Sequence, residues 1–227
     1  MTGTVPKPVE IAVGDAQVSG LLLAPPQAKA CFVVAHGAGA GMLHPFMESL
    51  ATDLAARRIA TLRYQFPYME KRSRRPDPPA LCHATVRAAV AAAHTLLPQL
   101  PLIAGGKSFG GRMTSQAQAL QPLAEVRGLA FLGFPLHPPK EPSGKRADHL
   151  SDVSIPMLFL QGARDEFAQA AWLLPLISRL GAQATLCVFP DADHSFHVPA
   201  RSPHTAQETH EGMLSALDDW TGKVIRA

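Results

Sequence analysis

From about residue 30 onwards, the apolar positions of the chain follow two patterns that alternate. Short, continuous apolar runs are typical of strands buried on both faces of a sheet, and longer stretches with a 3.6-residue apolar period are typical of helices. The short runs predict strands at 30–35, 60–66, 101–105, 126–134, 156–161 and 184–189. The periodic stretches predict helices at 45–59, 81–97, 109–120, 168–180 and 202–224.

The segment before residue 30 has a different pattern. Residues 9–13 and 17–23 are strand-like and flank Gly14-Asp15, which predicts an antiparallel hairpin. Strands that alternate with helices require a mostly parallel sheet with helices on both faces. We therefore predict an α/β fold with a central sheet of about seven to eight strands and an antiparallel N-terminal hairpin, in a single domain spanning 1–227.

Composition narrows the class of protein. The chain has 227 residues, of which 47% are hydrophobic and 17% charged, as expected of one globular domain. No run approaches the roughly 18 apolar residues of a transmembrane helix, so no membrane partner is expected. The N-terminus lacks the pattern of a secretory signal, and the three widely spaced cysteines favour a reduced, cytoplasmic protein.

The net charge of +3 is concentrated in the basic segment 71–75. One short basic loop is usually a solvated surface, so no nucleic-acid partner is expected. A second interpretation is that this loop attracts acidic substrates.

The segment Gly106-Lys107-Ser108-Phe109-Gly110 lies between a predicted strand and a predicted helix. Strand, G-x-S-x-G and helix in this order are typical of a nucleophile elbow, in which a serine sits on a sharp, strained turn. A P-loop would require glycine at position 101, which is Pro101, so phosphate binding of that kind is excluded. Ser108 is the predicted nucleophile, and Lys107 is expected to point into solvent.

Functional groups in such sheets gather at the carboxyl ends of the strands, where Asp165 and His194 follow two later predicted strands. The chain order Ser108, Asp165, His194 is that of α/β-hydrolases and differs from that of chymotrypsin or subtilisin. His194 is predicted to accept the Ser108 proton, and Asp165 to orient the imidazole. Glu166 is a reserve candidate for the acid.

A glycine-rich loop, 36–41, follows the third predicted strand, where hydrolases of this fold place half of the oxyanion hole. The amides of Ala38 and Phe109 are the predicted oxyanion donors. The connection 135–154 is too short for a large lid, so a minimal lid and a compact, open site are expected. Four side chains are predicted to bind substrate: Met42, Phe134, Leu136 and His137.

Four segments together resemble the motifs of small α/β-hydrolases near dienelactone hydrolase: 106–112 (GKSFGGR), 36–39 (HGAG), 161–165 (QGARD) and 193–196 (DHSF). The segment 133–139 (GFPLHPP) resembles a narrower branch, which includes a testis-expressed mammalian protein and the hydrolase-like domain of an NSL histone-acetyltransferase complex subunit. The resemblance covers almost the whole chain. Dienelactone hydrolase itself has a cysteine nucleophile, so Ser108 argues against that activity.

These observations predict a serine hydrolase that cleaves a small carboxylic ester through an acyl-enzyme. Two alternatives remain open: a thioesterase or acyltransferase with the same triad, and a hydrolase-like scaffold that binds a partner without catalysis. No cofactor and no metal is expected, because no His, Cys, Asp or Glu cluster has metal-ligand spacing. The substrate is expected to be a small-molecule ester, and the protein a monomer or homodimer.

Overall fold

A computed structural model describes residues 5–73, 75–138, 141 and 143–226 of the chain. Its eight strands form one sheet: β1 (Lys7–Val13), β2 (Ala16–Leu23), β3 (Ala30–Ala35), β4 (Ile59–Tyr64), β5 (Leu102–Lys107), β6 (Val126–Leu132), β7 (Met157–Gly162) and β8 (Ala184–Phe189). The predicted α/β architecture is therefore confirmed.

The strands lie in the order β1-β2-β4-β3-β5-β6-β7-β8. β1 and β2 pair antiparallel, with Val13 opposite Ala16 at the predicted turn, and β2 also pairs antiparallel with β4. All other neighbours are parallel. β3, β4 and β7 are buried along their whole length, as expected of strands covered on both faces, whereas the edge strand β8 is partly exposed.

The helices cover the two faces of this sheet. They are α1 (Pro45–Ala56), α2 (Pro67–Glu70), α3 (Pro79–Leu96), α4 (Phe109–Leu120), α5 (Ala170–Leu180) and α6 (Ala206–Val224). The buried side chains of α3, α4 and α5 belong to one apolar core, and those of α1 and α6 to a second. The two cores lie on opposite faces, because successive residues of a strand such as Phe32 and Val33 belong to different cores.

Several element boundaries differ from the sequence prediction by two to four residues, and one short helix was not predicted. The loop predicted at 67–79 begins with the short helix α2, and β6 ends at Leu132 instead of 134. α6 begins at Ala206 instead of 202, because Thr205 Oγ1 accepts from the Glu208 amide and the Glu208 carboxylate accepts from the Thr205 amide. This reciprocal capping box fixes the start of the helix.

The connection from β6 to β7 is the segment predicted as a minimal lid. It contains a 3₁₀ helix, Lys145–Asp152, whose Ala147 and Leu150 are buried in the core that α4 helps to form. Residues 139, 140 and 142 of this segment, and Arg74 of the basic segment, lie outside the described residues. Within the described part of the chain, no helix has the length and apolar character needed to cross a membrane.

Candidate active site

Ser108 occupies a strained turn between β5 and α4. Its φ of 50° and ψ of −114° lie in a region that non-glycine residues rarely adopt. The turn is so tight that a Cβ on Gly110 would lie 2.6 Å from the carbonyl oxygens of both Ala35 and His36. A Cβ on Gly106 would clash with Ala35 in the same way. Only glycine fits at these two positions, which explains the spacing of the motif.

Ser108, His194 and Asp165 form a continuous hydrogen-bonded relay. Ser108 Oγ lies 2.8 Å from His194 Nε2, and His194 Nδ1 lies 2.7 Å from Asp165 Oδ2. An ionised carboxylate can only accept, so Nδ1 carries the imidazole proton and Nε2 accepts from the serine hydroxyl. The three side chains that the sequence singled out are therefore brought together in the order needed to activate a serine.

Asp165 is held by donors on both of its oxygens. Oδ1 accepts from the Phe167 amide at 2.8 Å, and Oδ2 accepts from the side-chain amide of Gln161 as well as from His194. Gln161 is fully buried, and its Oε1 accepts from the Phe134 amide at 2.9 Å. Glu166 is exposed, whereas Asp165 is only 3% exposed, so the geometry favours Asp165 as the acid.

His194 sits on a compact turn after β8. Asp193 Oδ1 accepts from the Ser195 and His197 amides at 2.8 and 2.9 Å, and these two hydrogen bonds shape the turn. The Phe167 ring packs against the imidazole with 4.4 Å between centroids. Phe167 therefore restricts the movement of the imidazole ring.

Lys107 does not point into solvent as expected. Its Nζ donates to the His194 carbonyl oxygen and lies 5.4 Å from the centroid of the Phe196 ring. Burial lowers the pKa of Lys107 to about 8, although the Asp165 and Asp193 carboxylates act in the opposite direction. The lysine therefore ties β5 to the turn that carries His194, a contact between distant segments that no local pattern indicates.

The glycine-rich loop after β3 lies directly against Ser108, since a Cβ on Gly37 would be 4.0 Å from Ser108 Cβ. Among the described residues, neither the Ala38 amide nor the Phe109 amide has a hydrogen-bond acceptor. His36 holds the loop: Nδ1 donates to the Gly37 carbonyl at 2.8 Å, and Nε2 accepts from the Phe66 amide at 3.2 Å. Burial lowers the pKa of His36 to about 4, so this imidazole is neutral.

Two cavities meet at Ser108, and Ala38 and Phe167 line both of them. The larger has a volume of about 740 Å³ and touches His194. Three phenylalanines line its walls: Phe46, Phe167 and Phe196. Besides His194, four titratable side chains also line it: His44, Lys107, His197 and His210. The smaller, of about 400 Å³, extends along α4 and is lined by Phe109, Met113, Arg112 and Arg146, among others.

The four predicted substrate-binding side chains line neither cavity. Phe134 packs against Phe131 and Phe159 in the core. For an aromatic side chain just after β6, burial among these rings is more stabilising than exposure in the cleft. Leu136 and His137 are fully buried, and their amides donate to the Phe167 carbonyl. Met42 is 7% exposed, and its backbone bonds to Gln65 and Arg63. We correct this part of the prediction, because these residues turn inward.

Comparison with known proteins identifies the class. The family model described as "Alpha/beta hydrolase domain" matches residues 28–222, and the chain belongs to this family. The predicted resemblance to α/β-hydrolases is thereby confirmed at the level of the family.

Solved structures similar in fold include an α/β serine hydrolase without lid from Xanthomonas campestris, with a TM-score of 0.73 and 19% identity over 96% of this chain and 95% of that chain. A dienelactone hydrolase from Anabaena variabilis has a TM-score of 0.70 and 21% identity over 99% and 98% of the two chains. A cold-adapted esterase from an Arctic intertidal metagenomic library has a TM-score of 0.66 and 20% identity over 94% and 92%.

Proposed function

We propose that this protein is a serine hydrolase that cleaves a carboxylic ester through an acyl-enzyme, with Ser108, His194 and Asp165 as its triad. The observation that supports this most directly is the unbroken relay from Ser108 Oγ to Asp165 Oδ2 through the two ring nitrogens of His194. The narrower branch suggested by 133–139 stays a prediction, and Pro139 lies outside the described residues.

Acylation begins when Ser108 Oγ attacks the ester carbonyl carbon and its proton moves to His194 Nε2. The carbonyl oxygen becomes an oxyanion, which accepts hydrogen bonds from the Ala38 and Phe109 amides. Asp165 stabilises the imidazolium formed at this step. His194 then gives its proton to the leaving alkoxide as the carbon–oxygen bond breaks, which leaves the acyl group on Ser108.

Deacylation repeats these steps with water. His194 Nε2 takes a proton from a water molecule that attacks the acyl carbon, the same amides hold the new oxyanion, and the proton returns to Ser108 Oγ as the acid leaves. The two cavities meet at Ser108, so one can receive the acyl part and the other the alcohol.

A covalent probe tests the proposal. Intact mass is measured after treatment with a fluorophosphonate, on the wild-type protein and on Ser108→Ala. We expect one adduct on the wild type and none on the variant, and hydrolysis of 4-nitrophenyl esters that depends on Ser108. No adduct on the folded wild type would contradict the proposal and favour the scaffold alternative.

The choice between ester and thioester needs a substrate panel. Matched oxygen esters and thioesters of one acyl group are compared by kcat/KM on the same preparation. We expect the oxygen ester to be preferred. A clear preference for the thioester would assign the same triad to a thioesterase.

A further inference from the structure

The smaller cavity beside Ser108 carries a pair of guanidinium groups. Arg112 follows Ser108 by one turn of α4, and its amide donates to the Ser108 carbonyl at 3.1 Å. Arg146 reaches the same cavity from the 3₁₀ helix of the β6–β7 connection. Two separate elements therefore place positive charge in one small space next to the nucleophile.

Neither arginine forms an ion pair with another described residue. Arg112 Nε is buried and has no hydrogen-bond partner among the described residues. Asp77 also lines this cavity, but its Oδ2 accepts from the Tyr68 amide at 2.7 Å. Burial, and next the charge of Arg146, lower the pKa of Arg112. The Glu141 carboxylate offsets part of the charge of Arg146 without forming an ion pair with it. Two like charges in one small space are costly, and an anion placed between them would relieve that cost.

The position of His194 indicates which part of an ester enters this cavity. In the proposed reaction His194 protonates the leaving alcohol, so the alcohol must lie next to the imidazole. His194 lines the larger, aromatic cavity and does not line the smaller one. The alcohol therefore belongs in the larger cavity, and the acyl group points along α4 towards Arg112 and Arg146.

We propose that Arg112 and Arg146 form an acyl-side subsite for a carboxylate, so that the preferred substrates are monoesters of dicarboxylic acids. This inference rests on the proposed serine-hydrolase function. Guanidinium groups match a carboxylate well, because each can donate two parallel hydrogen bonds to it. The subsite would leave the larger cavity, with its three phenylalanines, to the alcohol.

Two probe esters of equal chain length test the subsite. The 4-nitrophenyl monoester of adipic acid carries a terminal carboxylate, and 4-nitrophenyl hexanoate carries a methyl group in its place. The measured quantity is the ratio of kcat/KM for adipate to that for hexanoate, after subtraction of the uncatalysed rate. We expect Arg146→Gln and Arg112→Gln each to lower this ratio about tenfold.

Arg179→Gln is the matched control, because Arg179 is an exposed arginine of α5 that lines neither cavity. It should leave the ratio within about twofold of wild type, as expected for an exposed charge. If Arg112→Gln fails to fold, the ratio measured for Arg146→Gln tests the subsite by itself. An unchanged ratio in the folded Arg112 and Arg146 variants, or an equal fall of the ratio in Arg179→Gln, would overturn the subsite. Ser108-dependent hydrolysis of the hexanoate ester would in that case continue to support the serine-hydrolase proposal. No hydrolysis of either ester by folded protein would overturn the serine-hydrolase proposal and the subsite with it.

Discussion

The orientation of the His194 ring follows from the hydrogen bonds at its two nitrogens. Asp165 accepts at Nδ1 and Ser108 donates at Nε2, at 2.7 and 2.8 Å. Phe167 packs on the ring, and Lys107 donates to the His194 backbone carbonyl. His194 is therefore restrained at both its side chain and its backbone, which suits the proton transfer in a fixed direction that we propose for it.

Asp165→Asn should lower kcat/KM for an ester substrate by about 10³- to 10⁴-fold. The neutral amide cannot stabilise the imidazolium, and it favours the wrong tautomer of His194. Glu166→Gln is the matched control, because the neighbouring carboxylate is exposed, and it should change kcat/KM by less than about twofold. Ester hydrolysis followed by absorbance measures both. A larger loss in Glu166→Gln than in Asp165→Asn would assign the acid to Glu166.

Gln161→Leu tests the first residue of the segment 161–165, to which the sequence alone assigned no role. Its side-chain amide donates to Asp165, and it lines neither cavity. Loss of a hydrogen bond to a charged group should lower kcat about tenfold, with KM nearly unchanged. Rates are expressed per active site, titrated with the fluorophosphonate, so that partial unfolding does not count as lost catalysis. A change confined to KM would show that Gln161 acts on substrate binding instead.

At the scale of elements, the elbow depends on how closely α4 approaches β3. Gly110 in the first turn of α4 lies against the Ala35 and His36 carbonyls, so the helix could not start here with a larger residue. The same close approach aims the N-terminus of α4, with its free amides and positive dipole end, at the proposed oxyanion. The helix that follows Ser108 and carries Arg112 is thus positioned by backbone contact.

Two glycine-to-alanine substitutions in helices should therefore have opposite signs. Gly110→Ala should lower the free energy of unfolding by about 2 kcal/mol or more, because its Cβ would lie 2.6 Å from two carbonyl oxygens. Gly212→Ala in α6 should raise it by about 0.5–1 kcal/mol, because its Cβ would meet Phe189 at an ordinary 3.4 Å. Urea denaturation measures both changes. Stabilisation by Gly110→Ala would contradict the close approach.

At the scale of the whole molecule, the buried His36 and the half-buried His149 are expected to make stability depend on pH. Burial lowers the pKa of His36 to about 4, and burial together with the Arg112 charge lowers the pKa of His149 to about 4. Below its ordinary pKa of about 6.5, each imidazole binds a proton in the unfolded chain before it does so in the folded chain. Acid therefore favours unfolding.

We expect the free energy of unfolding to be largest above about pH 6.5 and to fall as the pH is lowered towards 4. Each histidine should contribute about 1 kcal/mol per pH unit to this slope. Urea denaturation at several pH values measures it. His149→Gln removes one of the two groups and should make the slope shallower. An unchanged slope in that variant would show that His149 does not titrate differently in the two states.

The sequence by itself determined the order of strands and helices and the positions of Ser108, Asp165 and His194. The order of strands and helices depends on apolar periodicity, which is a local property of the chain. The three positions depend on turns that directly follow buried strands, because the carboxyl ends of parallel strands meet at one edge of the sheet. The family match confirms the class that these patterns predicted.

Only the tertiary structure decided which side chains face the cleft. Phe134, Leu136 and His137 turn into the core, Lys107 bonds across to the His194 turn, and Arg146 joins Arg112 in one cavity. Each of these outcomes depends on contacts between segments far apart in the chain, and apolar or basic character does not indicate in which direction a side chain points. The sequence could thus point to the side chains that we propose as the reacting groups, while the walls that would select a substrate required the packed fold.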